Sequence, residues 1–416
     1  MKILIITPSI PYPLSEGGKV AQFGVIDSIR KEHEIHILVE AKYKEHEIYI
    51  GKLQKLWPQV TFHTFSISKN HQKISLFRRI INKIDSFLSK PEILHTEETE
   101  SVDINIFEIK RNADGIRKMQ EIVEIHKFDI VQIDILSYID LVLAIPDHVK
   151  KVFVHHELRF ARLETALASK RKLPTSFNDY IMKMVKFQEI GLMKLYDAIF
   201  VFSNDDKEKL ISEINSEKVY ITPFGVLDNE FQDLHNQQEI VEKLVFLGGD
   251  NHQPNVDAVD WYINEIMPLV NERKKLDFYI IGSWSKTNMD KYKNISGVKF
   301  AGFVENLKEF CKNSIMLVPV RIGSGIRTKI LVAMAQGVPV ISAQVGCEGI
   351  LVEPDKDILV ANTPKEFTDK VIFLCKDDVF RKRMTKNAQD VIKKYYSQRI
   401  IADSRIKCFR DIISKK

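Results

Sequence analysis

The sequence predicts an α/β protein made of two doubly wound domains. Three observations carry this. The chain opens as strand, loop, helix, strand. Its second half restarts that alternation after a polar stretch. Its most ordered segment, 318–349 (VPVRIGSGIRTKILVAMAQGVPVISAQVGCEG), is a strand–turn–helix–strand unit. At 416 residues the chain is also too long for one typical core, so two domains are expected.

In chain order, Lys2–Thr7 is a buried strand and Pro8–Gly18 a loop ending in Gly17-Gly18. Val20–Lys31 is a helix with Val20, Phe23, Ile26 and Ile29 inward, and Ile35–Val39 the next strand. The loop lacks GxGxxG, and Pro13 and Val20 stand where a Walker A needs Gly and Ser or Thr. Ser75–Leu88 is a basic amphipathic helix, suited to an anionic lipid surface or, more plainly, to packing on its own domain. Glu92–Glu108 is an acidic excursion.

A helix at Ala113–His126 precedes the strand Asp129–Ile133. The strand Lys151–His155 ends in His155-His156-Glu157, at the sheet end where such folds bind ligands. Phe187–Tyr196 is a helix, and Ala198–Phe202 and Val219–Thr222 are strands. The polar run Leu227–Lys243 is the linker. Then come the strand Leu244–Leu247, Gly248-Gly249-Asp250, a helix Val256–Val270, and strands at Phe278–Ile281 and Val298–Phe300. The helix Asn306–Cys311 follows, and the tail Phe367–Lys416 is helical with a break near Tyr395-Tyr396-Ser397.

Composition excludes several classes. Net charge is only +5 and the basic residues are spread out, so no nucleic acid partner is expected. The four cysteines lack CxxC spacing, which argues against a zinc site or disulfide framework and fits a reducing cytosol. No apolar run reaches the roughly 18–20 residues of a membrane span. MKILIITPSIPYP is a first strand and not a signal peptide.

The chemistry concentrates at the turn Gly323-Ser324-Gly325. It opens a helix whose Ile330, Leu331, Met334 and Ala335 share one face, and the helix stops at Gly337 before the strand Val338–Ser342. A glycine turn at a helix N-terminus presents backbone N–H groups to an anion, and Arg321, Arg327 and Lys329 surround it. A diphosphate is the natural guest.

These pieces, in this order, resemble a retaining glycosyltransferase of the GT-B fold, close to the large family four (group 1 glycosyl transferases). The resemblance rests on Gly17-Gly18, His156-Glu157, Ser203, and Thr222-Pro223-Phe224-Gly225-Val226. It continues with Gly248-Gly249-Asp250, Pro254-Asn255-Val256-Asp257 and Gly302-Phe303-Val304. Its most specific part, GSGIRTKILVAMAQGVPVIS, is similar to the family's GxGxxxKxxEAMAxGxPVV.

The resemblance implies two Rossmann-like domains facing across a cleft. Residues 1–226 would hold the acceptor, 227–394 the nucleotide-sugar, and 395–416 would form a helix crossing back. It places His156 (rather than His155), Arg327 and Lys329 in catalysis. Gly18, Gly248, Gly249, Val304, Arg321, Gly323, Ser324, Gly325 and Ile326 would form the donor site. The implied reaction moves a hexose-type sugar from a UDP- or GDP-sugar to a glycan or lipid-linked glycan in cell-surface polysaccharide synthesis. It would take place in the cytoplasm or at the inner membrane face, with no cofactor.

One departure stands out. The family carries two glutamates eight positions apart around this turn, and here they are Ser324 and Val332. Val332 cannot accept from a ribose diol, an interaction of roughly 1.5–3 kcal/mol. Glu348 is the candidate substitute. The departure leaves a non-catalytic GT-B protein as an alternative. A nucleotide-sugar epimerase would need catalytic carboxylates that the sequence does not display. Asp355-Lys356-Asp357 falls beyond the turn and is expected to be a solvated loop, not a metal site.

Overall fold

The computed structural model describes residues 1–14, 17–65, 113–169, 175–234, 240–323 and 325–415, and side chains within them except at 165–169 and 175. Ser75–Leu88, Glu92–Glu108 and Ser324 lie outside the described residues.

Two parallel sheets organise the chain. The first holds β1 (Lys2–Thr7), β2 (Glu34–Glu40), β3 (Thr61–Phe65), β4 (Ile130–Asp134), β5 (Lys150–Val154), β6 (Ala198–Val201) and β7 (Val219–Ile221). Their order is β3-β2-β1-β4-β5-β6-β7. The second holds β8 (Lys243–Leu247), β9 (Asp277–Ile281), β10 (Val298–Gly302), β11 (Ser314–Val318), β12 (Val340–Ser342) and β13 (Leu359–Val360). Their order is β10-β9-β8-β11-β12-β13. Each is a doubly wound sheet that grows outward from its first strand for three strands and then reverses, its fourth strand adding on the other side of the first. In such sheets the crevice lies beyond the carboxyl ends of the two strands at the reversal. Here those pairs are β1 with β4 and β8 with β11.

The strands are short and apolar because both faces are covered. Ile3, Ile5, Ile37, Val152 and Phe200 are fully buried in the first sheet, and Leu244, Phe246, Phe278 and Leu317 in the second. Helices fill the connections.

Several boundaries differ from the sequence reading. The first helix spans Gly17–Ile29, so Gly17 and Gly18 form its first turn and not the preceding loop. The helix expected at Val256–Val270 runs from Gln253 to Trp261, opens into a π turn at Tyr262–Ile266, and resumes at Met267–Arg273. Pro268 is the cause: it has no N–H to donate to the turn before it. The tail is three helices, Pro364–Lys376, Asp378–Tyr395 and Gln398–Ser414. The break at Asp377 is an N-cap, its side chain accepting from the Phe380 amide. The Asp355-Lys356-Asp357 loop is not simply solvated. Asp357 is buried and accepts from the Glu353 amide at 2.9 Å, closing the turn.

The chain passes between the sheets twice, and the two passages touch. The Val226 amide donates to the Tyr396 carbonyl at 2.7 Å. The last helix then packs on the first helix and on the first sheet, where Phe409 meets Phe200 at 5.5 Å between ring centres. Phe409 is fully buried there. Phe409→Ala should destabilise the first sheet's unfolding transition by about 3–5 kcal/mol, measured by denaturant titration.

Candidate active site

The crevice of the second sheet is built by the loops that leave β8 and β11. After β8, Gly248 and Gly249 turn against the loop after β9. Gly248 has φ +154°, and its carbonyl accepts from Trp284 Nε1 at 2.7 Å. Asn255, near the start of the next helix, donates to the Gly249 carbonyl at 2.8 Å. After β11, Gly323 and Gly325 carry φ +113° and +79°, which only glycine adopts easily. Arg327 then caps the helix Thr328–Ala335.

Lys329 ties these two loops together. Its ammonium donates to Asn255 Oδ1 at 2.8 Å and sits 4.1 Å from the centre of the Phe246 ring. Burial, then the charge of Arg327, push Lys329 down to about 7. Arg327 is 8 % exposed, and burial lowers it too, against the pull of Glu157, Glu348 and Asp206. Its Nη1 donates to the Gly325 carbonyl. Two cations are thus held close together at the start of a helix.

The first sheet faces this turn. A Cβ on Gly325 would stand 2.9 Å from the His156 carbonyl oxygen, and one on Gly17 would collide with Thr328 Oγ1. The two domains therefore meet at the predicted turn. Gly17, and not Gly18, is the glycine this contact requires; Gly18 borders open space.

His156 follows β5, its ring packed between Phe202 and Phe224 at 5.3 and 5.6 Å. Its Nε2 is buried without a hydrogen-bond partner among the described residues. Burial, then the charges of His155 and Arg405, lower it to about 3, so the imidazole is neutral. His155 points the other way. It is 3 % exposed and its Nε2 meets Glu189 Oε1 at 2.6 Å. Glu189 also accepts from the amides of Arg159 and Phe160, so this pair pins the next helix to β5. The neighbouring histidines thus divide into His155, held by Glu189, and His156, whose carbonyl stands against the Gly325 turn and whose ring is held by Phe202 and Phe224.

Glu157 stands beside the glycine turn, paired with Arg162 at 3.0 Å and with His252 Nε2 3.8 Å away. Burial alone would raise its carboxyl. His252 and the charges of Arg162 and Arg327 outweigh burial and hold it at about 2.

Other predicted residues fall differently. The Arg321 guanidinium is turned to Asp257, with contacts of 2.8 and 3.2 Å, and stacks 4.6 Å from Trp261. It braces a helix and does not line the turn with Arg327 and Lys329. Glu348 is engaged by Lys209 of the first domain at 2.9 Å, though Arg327 still feels its charge. Val304 is half-buried after Gly302, and Ile326 is buried. Val332 lies on the helix Thr328–Ala335.

Sequence reasoning passed over several groups. Glu157 and Asn255 were visible only as parts of motifs. Asp134, at the carboxyl end of β4, left no signal. It is buried, accepts from Gln22 at 2.6 Å and Gln132 at 2.7 Å, and burial raises it to about 6 against those bonds. Arg405 of the last helix is 2 % exposed, lies over Phe200 at 4.6 Å, and is lowered by burial to about 10. Among the described residues no helix is long and apolar enough to cross a membrane.

His155→Ala should cost about 2–4 kcal/mol of stability, because it opens a cavity and strips a buried carboxylate of one partner. His156→Ala should cost less, because it opens a cavity between Phe202 and Phe224 but breaks no hydrogen bond of the ring's Nε2. Thermal unfolding of the two variants side by side checks this.

Comparison with known proteins agrees with this architecture. Residues 241–377 match the family Glycosyl transferases group 1. A Klebsiella pneumoniae chain described as an uncharacterized 44.6 kDa protein in the cps region is 19 % identical, over 98 % of this chain and 99 % of its own. Among solved structures, Anabaena Alr3699/HepE in complex with UDP-glucose aligns with a TM-score of 0.64 at 12 % identity, covering 99 % of this chain and 100 % of its own. Staphylococcus aureus TarM aligns with a TM-score of 0.67 at 13 % identity, covering 100 % of this chain and 99 % of its own. The chain has the two-domain GT-B fold, and its second domain matches the group 1 glycosyl transferases.

Proposed function

We propose that this chain is a retaining, metal-independent glycosyltransferase. It moves a hexose-type sugar from a UDP- or GDP-sugar to a glycan or lipid-linked glycan in cell-surface polysaccharide synthesis. The observation that carries the reading is the juxtaposition of buried Lys329 and Arg327 at a glycine turn facing the neutral His156. Sugar transfer from a nucleotide diphosphate develops negative charge on the departing diphosphate. Preorganised donors aimed at that charge are the main catalytic lever in such a step. Lys329 and Arg327 supply charge-assisted hydrogen bonds, and the amides at the start of the helix Thr328–Ala335 lack intrahelical partners. His156, on the acceptor domain, is in its uncharged form and contacts the transferred sugar.

The relatives support the setting. HepE is described in complex with UDP-glucose, TarM with UDP and glycans, and the Klebsiella chain lies in a cps region. The epimerase alternative is less favoured, because Glu157 and Glu348 are held in ion pairs with Arg162 and Lys209. The non-catalytic alternative rests on Val332. Residues 227–394 are proposed as the donor domain, with Gly18, Gly248, Gly249, Val304, Gly323, Ser324, Gly325, Ile326 and Glu348 near the donor. The acceptor domain is 1–226, completed by 395–416. Contact of 75–88 with an anionic membrane from the cytoplasmic side stays part of the proposal.

Calorimetric titration with UDP, GDP, ADP and dTDP tests the reading. Binding of one of them is expected, and binding of none would favour the non-catalytic alternative. Lys329→Ala should weaken nucleotide binding by about 10- to 100-fold, the loss of one charge-assisted bond. Unchanged affinity would remove Lys329 from the site. His156→Ala should lower turnover by about 10²-fold with nucleotide affinity intact.

Lys329 also sets a pH dependence. Its folded value is depressed to about 7, so above that pH the free protein has lost the proton that a diphosphate needs. Nucleotide-sugar affinity should be highest below pH 7 and fall as pH rises to 9, with the slope absent in Lys329→Ala. The unfolded chain binds more protons between about 7 and Lys329's ordinary range, so its burial costs stability fully below pH 7 and progressively less above it.

A further inference from the structure

At the opposite end of the first sheet from the candidate active site, three histidines converge. His36 lies near the amino end of β2, His63 within the edge strand β3, and His126 ends the helix Ala113–His126. His36 pairs in register with Thr61, so His36 and His63 are diagonal neighbours on the same face of the parallel pair. The helix that ends at His126 packs on that face. One ring nitrogen from each of the three lies within 4.8 Å of the others.

We propose that His36, His63 and His126 form a binding site for a divalent transition-metal ion of the zinc type, with Glu34 orienting His36. Three imidazoles and an open position are a ligand set that zinc accepts. The second observation is the tautomer. Glu34 Oε1 stands 3.1 Å from His36 Nε2 and so takes its N–H. That leaves His36 Nδ1 with its lone pair directed at His63 Nε2, 2.8 Å away. A carboxylate behind a ligating imidazole is the usual partner of a metal-bound histidine. At metal–nitrogen lengths of about 2.0–2.1 Å, two nitrogens of a tetrahedral site stand about 3.3 Å apart. Opening the His36–His63 distance by roughly half an ångström therefore admits the ion.

On metal entry, the hydrogen bond from His63 Nε2–H to His36 Nδ1 is replaced by two metal–nitrogen bonds. His63 keeps its proton by shifting it to Nδ1. His36 is 3 % exposed and its ring is walled by Phe128 at 5.0 Å, which limits water on one side. Lys2 also reaches Glu34, at 2.9 Å, holding that carboxylate in place. The ion would join an edge strand to the helix that covers it, a structural and not a catalytic position.

The test uses the full chain, stripped with EDTA. Zinc is titrated in competition with a chromophoric chelator, and cobalt binding is followed by visible absorption. One equivalent of zinc, the intense visible bands of four-coordinate cobalt and a raised melting temperature are expected. His63→Ala and His126→Ala should each weaken zinc binding by about 100-fold or more, and Glu34→Gln by about 10- to 100-fold. Far-UV circular dichroism confirms that the variants fold. If a variant does not fold, the wild-type cobalt spectrum decides, since weak octahedral bands would overturn the proposal. Zinc binding below one equivalent in the wild type, or unchanged binding in a folded His63→Ala/His126→Ala chain, would also overturn it.

Discussion

The structure turns on a charge that meets no carboxylate among the described residues. There Lys329 reaches the amide oxygen of Asn255 and the face of Phe246, and Arg327 beside it makes its ammonium harder to keep. Burying cations this way costs folding free energy unless a counter-charge is present. A carboxylate on Lys329 would remove that cost and also occupy the place of an incoming anion. The surroundings hold the charge in one place. Lys329 is anchored through Asn255 to the Gly248-Gly249 turn, and that turn is locked against the loop after β9 by Trp284. The charge is therefore positioned before any ligand arrives, which is the condition for electrostatic stabilisation without reorganisation.

The first domain meets that charge with aromatic rings and one polar atom. Phe202 and Phe224 hold the His156 ring, and its burial, with the charges of His155 and Arg405, keeps it uncharged. A protonated imidazole here would be repelled by Arg405. Glu157 balances the cluster from the same loop, ionised despite its burial. One short turn after β5 thus supplies a helix anchor in His155, a neutral ring in His156 and a counter-charge in Glu157.

Much of this was legible in the sequence, and the failures have physical causes. Buried parallel strands announce themselves as short apolar runs, so twelve of the thirteen described strands, with β13 expected at Ile358–Val360, fell close to their predicted places. The edge strand β3 was missed because TFHTF is half polar, with only two apolar positions. The turn at 323–325 was visible because positive φ demands glycine, a local rule. The resemblance favoured His156 over His155, but what holds His155 is visible only in the structure, since its partner Glu189 is on a helix 34 residues away. Arg321 looked equivalent to Arg327 in sequence, yet it is claimed by Asp257, 64 residues distant. Contacts of that range leave no local pattern. Asp134 and Arg405 belong to the same category: nothing in the flanking sequence marks either, and the meaning of each comes from burial.

The first sheet is finished by the last residues of the chain. Phe409 and Arg405, from the helix Gln398–Ser414, cover Phe200 in the strand Ala198–Val201. During synthesis the amino-terminal half must therefore wait, one apolar flank open, while some 190 further residues are made, about 10–40 s at ordinary elongation rates. The second domain can close upon itself in that interval. The order of assembly is thus inverted relative to the order of synthesis: the half made first is sealed last. A nascent chain of this protein would present its Phe200 surface to chaperones until the helix Gln398–Ser414 has emerged.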